Sequence, residues 1–173
     1  MTESLQHRVK KLDNAKFHGG KRPMSKVDLI VMHCTAGGSA MSSIDYMNTS
    51  AGVSYHYVID RDGTIYRMLD VQYVGYHAGD SAFPADPSKK TQGGSVNRRS
   101  IGISWANRND GEQITEKQIE SALWLCGVFV KRDGISIENV VGHNEVSPGR
   151  KSDPGPAINM DTWRAKLAEY LTV

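Results

Sequence analysis

The feature that most constrains the fold is a run of apolar residues from Val27 to Met32, interrupted only by Asp28 and ending at His33. Apolar residues at successive positions predict a strand that is buried on both faces, because a half-exposed strand would alternate apolar and polar residues. A second short apolar run, residues 139–142, is followed by His143. Each run therefore delivers an imidazole at its carboxyl end.

The rest of the chain alternates between strand and helix patterns. Further strands are predicted over residues 54–60, 64–69 and 100–105, and helices near 40–49, from 115 to 134 and from about 160 to 171. The sequence Arg61-Asp62-Gly63 predicts a hairpin turn. Thr115 and Gln118 form a capping box at a helix start, and Gly134 ends that helix. The sum is an α/β fold, in which helices flank one mixed central β-sheet.

Length and charge indicate one domain with a basic arm. The 173 residues suit a single domain, which we place at residues 27–173. Residues 1–26 carry seven Lys or Arg and two Asp or Glu, a net charge of +5 in a chain of net charge +2. This arm could hold the protein to anionic wall or membrane polymers. We favour the alternative, in which it is a solvated leader that packs on the domain.

Several classes of protein are excluded. The arm lacks the interleaved aromatic residues of a nucleic-acid-binding segment, and the chain has no apolar run of membrane-spanning length. Residues 1–10 have no apolar core of signal-peptide type, so synthesis in the cytoplasm is expected. Cys34 and Cys126 are too few for a disulfide framework and are interpreted as reduced core thiols. We expect a monomer.

A possible metal site involves His33, His143 and Asp153. Asp153 lies ten positions after His143, in a segment stiffened by glycine and proline. Two imidazoles and one carboxylate can hold zinc and leave its fourth position open, which is the ligand count of a catalytic site. The spacing alone leaves a second interpretation open, in which the histidines are ordinary partly buried residues and Asp153 belongs to a turn.

Five segments in a fixed order add a family resemblance. They are His33-Cys-Thr-Ala-Gly, Val53-Ser-Tyr-His-Tyr-Val-Ile-Asp-Arg-Asp-Gly-Thr64, Tyr76-His-Ala-Gly79, Asn97-Arg-Arg-Ser-Ile-Gly-Ile103, and Gly142-His followed by Gly149-Arg-Lys-Ser-Asp-Pro-Gly-Pro156. Together they resemble the zinc-dependent N-acetylmuramoyl-L-alanine amidases, which include phage lysozyme-type amidases, muropeptide-recycling amidases and animal peptidoglycan recognition proteins. The resemblance implies the amidase fold, a zinc ion held by His33, His143 and Asp153, and peptidoglycan or muropeptides as substrate.

The same resemblance implies further site residues. Lys151 matches a lysine that assists catalysis in phage-type enzymes, and Tyr55 matches a tyrosine beside the metal. Alternation along a strand would put Tyr55 and Tyr57 on one face and His56 on the other, so His56 is left out of the ligand set. Three residues are candidates for substrate binding, although each could simply be a loop or turn residue: His77, Asn97 and Thr35.

The biological role is divided between subfamilies. Recycling amidases carry a glutamate where this chain has Ser104, and many lack a tyrosine at position 55; these two residues favour a phage endolysin, a bacteriolytic enzyme that degrades the cell wall. The loop at 149–156 is closer to the recycling enzymes, so a cytoplasmic recycling amidase is the alternative. A non-catalytic peptidoglycan-binding protein is a third possibility, but such proteins typically lose a zinc ligand.

Overall fold

A computed structural model describes residues 3–6 and 8–173, without the side chains of Glu3 and Ser4. Residues 1, 2 and 7 of the predicted arm lie outside this description. The predicted α/β class is confirmed: a six-stranded mixed sheet has the order β1-β5-β4-β7-β3-β8, and a two-stranded sheet pairs β2 with β6. The strands are β1 Val9–Lys11, β2 His18–Lys21, β3 Leu29–Cys34, β4 Tyr57–Ile59, β5 Ile65–Arg67, β6 Tyr73–Gly75, β7 Ser100–Trp105 and β8 Val140–Gly142.

The apolar run that ends at His33 is the strand β3, and it lies inside the sheet as predicted. All six of its residues are buried, and it pairs in parallel with β7 on one side and β8 on the other. The predicted hairpin is also present, since β4 and β5 pair antiparallel around the turn at 61–63. Parallel β3 and β8 bring their carboxyl ends to the same edge of the sheet.

Helices cover the sheet on both sides. They are α1 Glu3–Gln6, α2 Ala40–Tyr46, α3 Glu116–Asp133, α4 His143–Val146 and α5 Met160–Leu171, with short 3-10 turns at Met24–Lys26, Asn97–Arg99 and Ile137–Asn139 and a π turn at Met47–Ala51. The predicted capping box of Thr115 and Gln118 begins α3. Trp163 of α5 packs edge-on against Trp105 of β7, with ring centroids 5.1 Å apart. Among residues 3–6 and 8–173, no helix is long and apolar enough to cross a membrane.

The prediction that Tyr55 and Tyr57 share a face is wrong. Tyr57 packs toward Phe129 of α3, whereas Tyr55 packs with Ile44 and Met47 on the opposite side of the sheet. Regular strand pairing begins only at Tyr57, so the alternation of a strand does not extend back to Tyr55.

Part of the basic arm is built into the domain. Strand β1 pairs with β5, and β2 pairs with β6. Arg22, which follows β2, is buried and donates to the carbonyl oxygens of Val71 and Asn97. The lysines of this segment are nevertheless exposed: Lys10, Lys11, Lys16, Lys21 and Lys26.

Candidate metal centre and cleft

Three predicted ligands meet at the carboxyl ends of two neighbouring parallel strands. His33 is the fifth residue of the six-residue β3, and His143 directly follows β8 as the first residue of α4. Asp153 returns to the same place through its loop, held by a hydrogen bond from the Asn144 backbone amide to the Asp153 carbonyl oxygen. One side-chain ligand atom from each of His33, His143 and Asp153 lies within 4.8 Å of the other two. All three residues are buried.

The distances in this cluster fit a bound cation. Nδ1 of His33 lies 3.2 Å from Oδ2 of Asp153, and Nδ1 of His143 lies 3.3 Å from Oδ1. Two ligands of a tetrahedral zinc are about 3.3 Å apart, because each bond is about 2.0–2.1 Å long. The three residues therefore have the atom types of an open zinc site, and the distances of both histidines from Asp153 match its ligand spacing.

The proton on His143 supports the same conclusion. Its Nε2 lies 3.1 Å from the carbonyl oxygen of Ala78, which can only accept a hydrogen bond. Because this contact is shorter than the 3.4 Å between Nε2 and the Arg150 guanidinium, a neutral His143 carries its proton on Nε2, and the lone pair of Nδ1 faces the Asp153 carboxylate. Two such groups repel at this distance unless a cation or a second proton lies between them.

Burial adjusts the charge of the cluster. It lowers the pKa of His33 to about 4, with a further lowering from His143, so that His33 is neutral near pH 7 and its ring can act as a ligand. Burial would raise the pKa of Asp153, but hydrogen bonds from His143 and His33 outweigh it and hold that pKa well below its usual range. At neutral pH the cluster thus offers an ionised carboxylate and at least one neutral imidazole.

Hydrogen bonds connect His77 to His33, and Asn97 to the backbone of residues 77 and 78. Nδ1 of His77 is 2.9 Å from Nε2 of His33, and Nε2 of His77 is 3.2 Å from the hydroxyl of Ser100. The side-chain oxygen of Asn97 accepts from the backbone amides of His77 and Ala78, at 3.3 and 2.9 Å. His77 and Asn97 also line the cleft, as the prediction of substrate contacts requires.

The cluster opens into a cleft that Tyr55 and Lys151 also line. This cavity of about 610 Å³ adjoins a second one of about 600 Å³, and Thr35, Tyr55 and Lys151 line both. Tyr55 is buried, with its ring centroid 4.8 Å from that of His33. Burial raises the pKa of Tyr55, and Asp153 raises it further against an opposing effect of Ser104, so the phenol keeps its proton at neutral pH. Lys151 is exposed and supplies a cation at the cleft wall.

Three other residues make structural contacts, and one of them is the candidate Thr35. The hydroxyl of Thr35 accepts a hydrogen bond at 3.1 Å from the amide of Gly37 and so caps the next turn, while Thr35 also lines the cleft. His56 is buried outside the ligand cluster, where it accepts from the amide of Gly102 and reaches the carbonyl oxygen of Tyr73. Glu145 pairs with Arg164 of α5 at 2.8 Å and takes no part in the cluster.

Two arginines near the site were not singled out by the sequence. The Arg150 guanidinium donates to the carbonyl oxygens of Ala78 and Asp80, and it ties the loop that carries Asp153 to the loop that carries His77. Buried Arg22 donates to the carbonyl oxygen of Asn97 at 2.8 Å. Both contacts are to backbone atoms distant in sequence, so no motif or spacing could have indicated them. The resemblance does contain Arg150, next to Lys151.

Comparisons with known proteins agree with this geometry. Residues 23–156 match the family described as N-acetylmuramoyl-L-alanine amidase. The chain is 31% identical over 80% of its length to the N-acetylmuramoyl-L-alanine amidase CwlH of Bacillus subtilis strain 168, covering 50% of that protein. It is 30% identical over 64% of its length to the 1,6-anhydro-N-acetylmuramyl-L-alanine amidase AmpD of Enterobacter cloacae, covering 54% of it. The chain thus spans about half the length of these relatives.

A solved structure shows the same fold. The endolysin N-acetylmuramoyl-L-alanine amidase LysCS of Clostridium intestinale superposes with a TM-score of 0.68 at 26% sequence identity. The superposition covers 92% of this chain and 95% of that one. It therefore extends over most of this chain.

Proposed function

Because the chain belongs to the N-acetylmuramoyl-L-alanine amidase family, we propose that it hydrolyses the amide bond between the lactyl group of muramic acid and L-alanine in peptidoglycan. The observation that carries this proposal is the buried cluster of His33, His143 and Asp153 at the floor of a cleft. We propose zinc as the ion that these three residues hold.

The chain's own residues supply the remaining chemistry. A bound zinc ion would polarise the amide carbonyl and lower the pKa of water to about 7. Tyr55 keeps its proton, so its hydroxyl can donate a hydrogen bond to the negative charge that develops on the amide oxygen. The ammonium of Lys151 can neutralise the same charge from the cleft wall. Thr35 is proposed as a substrate contact at the junction of the two cavities.

The bond that is cut can be identified from the products. Cleavage of the proposed amide frees the amino group of L-alanine and leaves the glycan chains intact. Purified protein should be incubated with peptidoglycan, and new amino termini and new reducing sugar ends should be measured with product masses. Amino termini without reducing ends are expected; reducing ends without amino termini would show glycoside hydrolysis instead.

For the biological role we propose a phage-type endolysin acting on polymeric wall. Ser104 of β7 pairs with His33 of β3, so position 104 lies beside the cluster. It carries a hydroxyl group next to the protonated Tyr55, where recycling amidases carry a glutamate. The structural similarity to the endolysin LysCS and the exposed lysines of the arm support the same role.

A recycling amidase is the second candidate, favoured by the similarity to AmpD and by the loop at 149–156. The two roles differ in substrate. Intact sacculi and soluble anhydro-muropeptides should be offered separately at equal concentrations of the amide bond. Release of L-alanine amino groups from sacculi supports the endolysin, whereas rapid cleavage of anhydro-muropeptides with sacculi untouched would leave the recycling role.

A further inference from the structure

We propose that His77 and Asn97 are positioning residues: they hold one loop, residues 77–78, that orients both histidine ligands toward the metal. The inference rests on the proposed zinc site. It differs from the predicted role of His77 and Asn97 as substrate contacts, because the task it gives each of them is to hold the ligands and involves no contact with substrate.

The first half of this support acts on His33. Its Nδ1 faces Asp153, so its other ring nitrogen, Nε2, is free to donate, and Nδ1 of His77 lies 2.9 Å away as the acceptor. His77 in turn has Nε2 at 3.2 Å from the hydroxyl of Ser100, which can accept. This chain of two hydrogen bonds leaves the lone pair of His33 on Nδ1, toward the metal position.

The packing around His77 fits a ring with a fixed orientation. His77 is only 6% exposed, and its ring lies on strand β7 over Gly102. A Cβ atom at Gly102 would lie 2.7 Å from Cγ of His77, closer than side-chain carbons pack. The glycine therefore makes room for a ring that is held from both ends, by His33 and by Ser100.

The second half of the support acts on His143 and comes from the next residue along the chain. The carbonyl oxygen of Ala78 accepts from Nε2 of His143 at 3.1 Å, which leaves the Nδ1 lone pair of His143 toward the metal. Arg150 donates to the same carbonyl oxygen at 2.6 Å and fixes its direction. Two adjacent residues, 77 and 78, thus set the proton positions of both imidazole ligands.

Asn97 links the two halves. Its side-chain oxygen accepts from the backbone amides of both His77 and Ala78, so that a single amide group holds the backbone of the two residues that support the ligands. The carbonyl oxygen of Asn97 is itself held by buried Arg22. Loss of the Asn97 side chain would release two buried amides and loosen both ligands at once.

Zinc affinity provides the test, because loss of a residue that orients a metal ligand typically weakens metal binding by about 10–100-fold. We would measure zinc affinity by competition with a chromophoric chelator, and the visible spectrum of the cobalt(II) form, for the wild type and three variants. His77→Leu and Asn97→Leu remove the acceptors. His77→Asn keeps an acceptor at the position of Nδ1, because both atoms are bonded to Cγ. Tyr76→Phe, which removes one hydroxyl from the exposed residue next to His77, is the matched control.

We expect His77→Leu and Asn97→Leu to weaken zinc binding at least 10-fold and to change the cobalt spectrum. His77→Asn should recover most of the affinity, and Tyr76→Phe should match the wild type. Unchanged affinity and spectrum in both leucine variants, with only a higher KM, would overturn the inference and leave His77 and Asn97 as substrate contacts. A wild type that binds no zinc would instead refute the proposed metal site itself. If His77→Leu does not fold, His77→Asn and Asn97→Leu still decide the outcome.

Discussion

Replacement of Tyr55 by phenylalanine removes one oxygen atom from the wall of the proposed active site. The ring of Tyr55 packs with Ile44, Met47 and Val58 and lies 4.8 Å from the ring of His33 between centroids. These apolar contacts remain in the variant, so the fold and the metal position should be kept. The variant loses only the hydroxyl group. Burial holds the pKa of this hydroxyl above its usual value, so it keeps its proton at neutral pH and can donate a hydrogen bond.

The size of the effect follows from what one donor contributes. A preorganised donor aimed at a developing oxyanion typically accounts for about 10²–10³ in kcat, or about 2.7–4 kcal/mol of transition-state stabilisation. The binding of the ground-state amide gains much less from the same contact, because charge appears on the oxygen only during the reaction. We therefore expect Tyr55→Phe to lower kcat by about 10²-fold with little change in KM.

The assay is the rate at which amino termini of L-alanine appear from a soluble muropeptide, at saturating and at low substrate. Zinc content and Tm are measured on the same preparations. A variant with full kcat, normal zinc and normal Tm would refute the role of the Tyr55 hydroxyl. A variant that loses zinc would show that Tyr55 acts on the metal site and not on the transition state.

Three further predictions concern other parts of the molecule. Lys151→Ala should lower kcat by about 10²-fold with zinc still bound, because it removes a cation near the developing charge, whereas Lys151→Arg should keep part of the rate; equal rates for all three proteins would contradict this role. Replacing the five exposed lysines of the arm with glutamine should weaken binding to sacculi at low salt and leave cleavage of a small muropeptide unchanged. The effect on binding should be smaller at higher salt, because exposed charges are screened beyond about 10 Å at 0.1 M salt. The control variant carries glutamine at five exposed lysines elsewhere, and equal weakening in it would show that net charge, and not the arm, is responsible: Lys89, Lys90, Lys117, Lys131 and Lys166. Burial lowers the pKa of His56 to about 3, so below about pH 6.5 the unfolded chain protonates this residue while the folded chain does not. Between pH 7 and pH 4.5, His56 should therefore lower the free energy of unfolding of metal-free protein by about 2–3 kcal/mol. Urea titrations at both pH values should show that His56→Gln loses less of its free energy of unfolding than the wild type, by that amount, and an identical loss would exclude His56 as the cause.

Local patterns predicted the main elements of the fold. The apolar run before His33 is a buried strand because both faces of β3 are covered, and the pattern reports that directly. The bounds of β7, of α3 and of α5 were likewise predictable, since each segment carries its own apolar pattern and the Thr115 cap marks the start of α3. The short strands β1, β2 and β6 were not predicted, because a strand of three or four residues at a sheet edge carries no periodicity of its own.

The ligand cluster and its support differ in how far the sequence reveals them. His33 and His143 each follow an apolar run, and the parallel pairing of β3 and β8 brings those runs together, so the cluster could be predicted in outline. The role of residues 77 and 78 could not, because it depends on hydrogen bonds between a loop and two ring nitrogens 44 and 65 positions away in the chain. Only the folded geometry shows which side of each imidazole faces the metal position.

The most direct test of the account is a zinc titration of metal-free protein, in which bound zinc and the release of L-alanine amino groups from muropeptide are followed together. The account predicts that activity rises in proportion to bound zinc, levels off at about one ion per chain, and is absent in folded His143→Ala at the same zinc concentration. Full activity in rigorously metal-free protein, or in the His143→Ala variant, would contradict it.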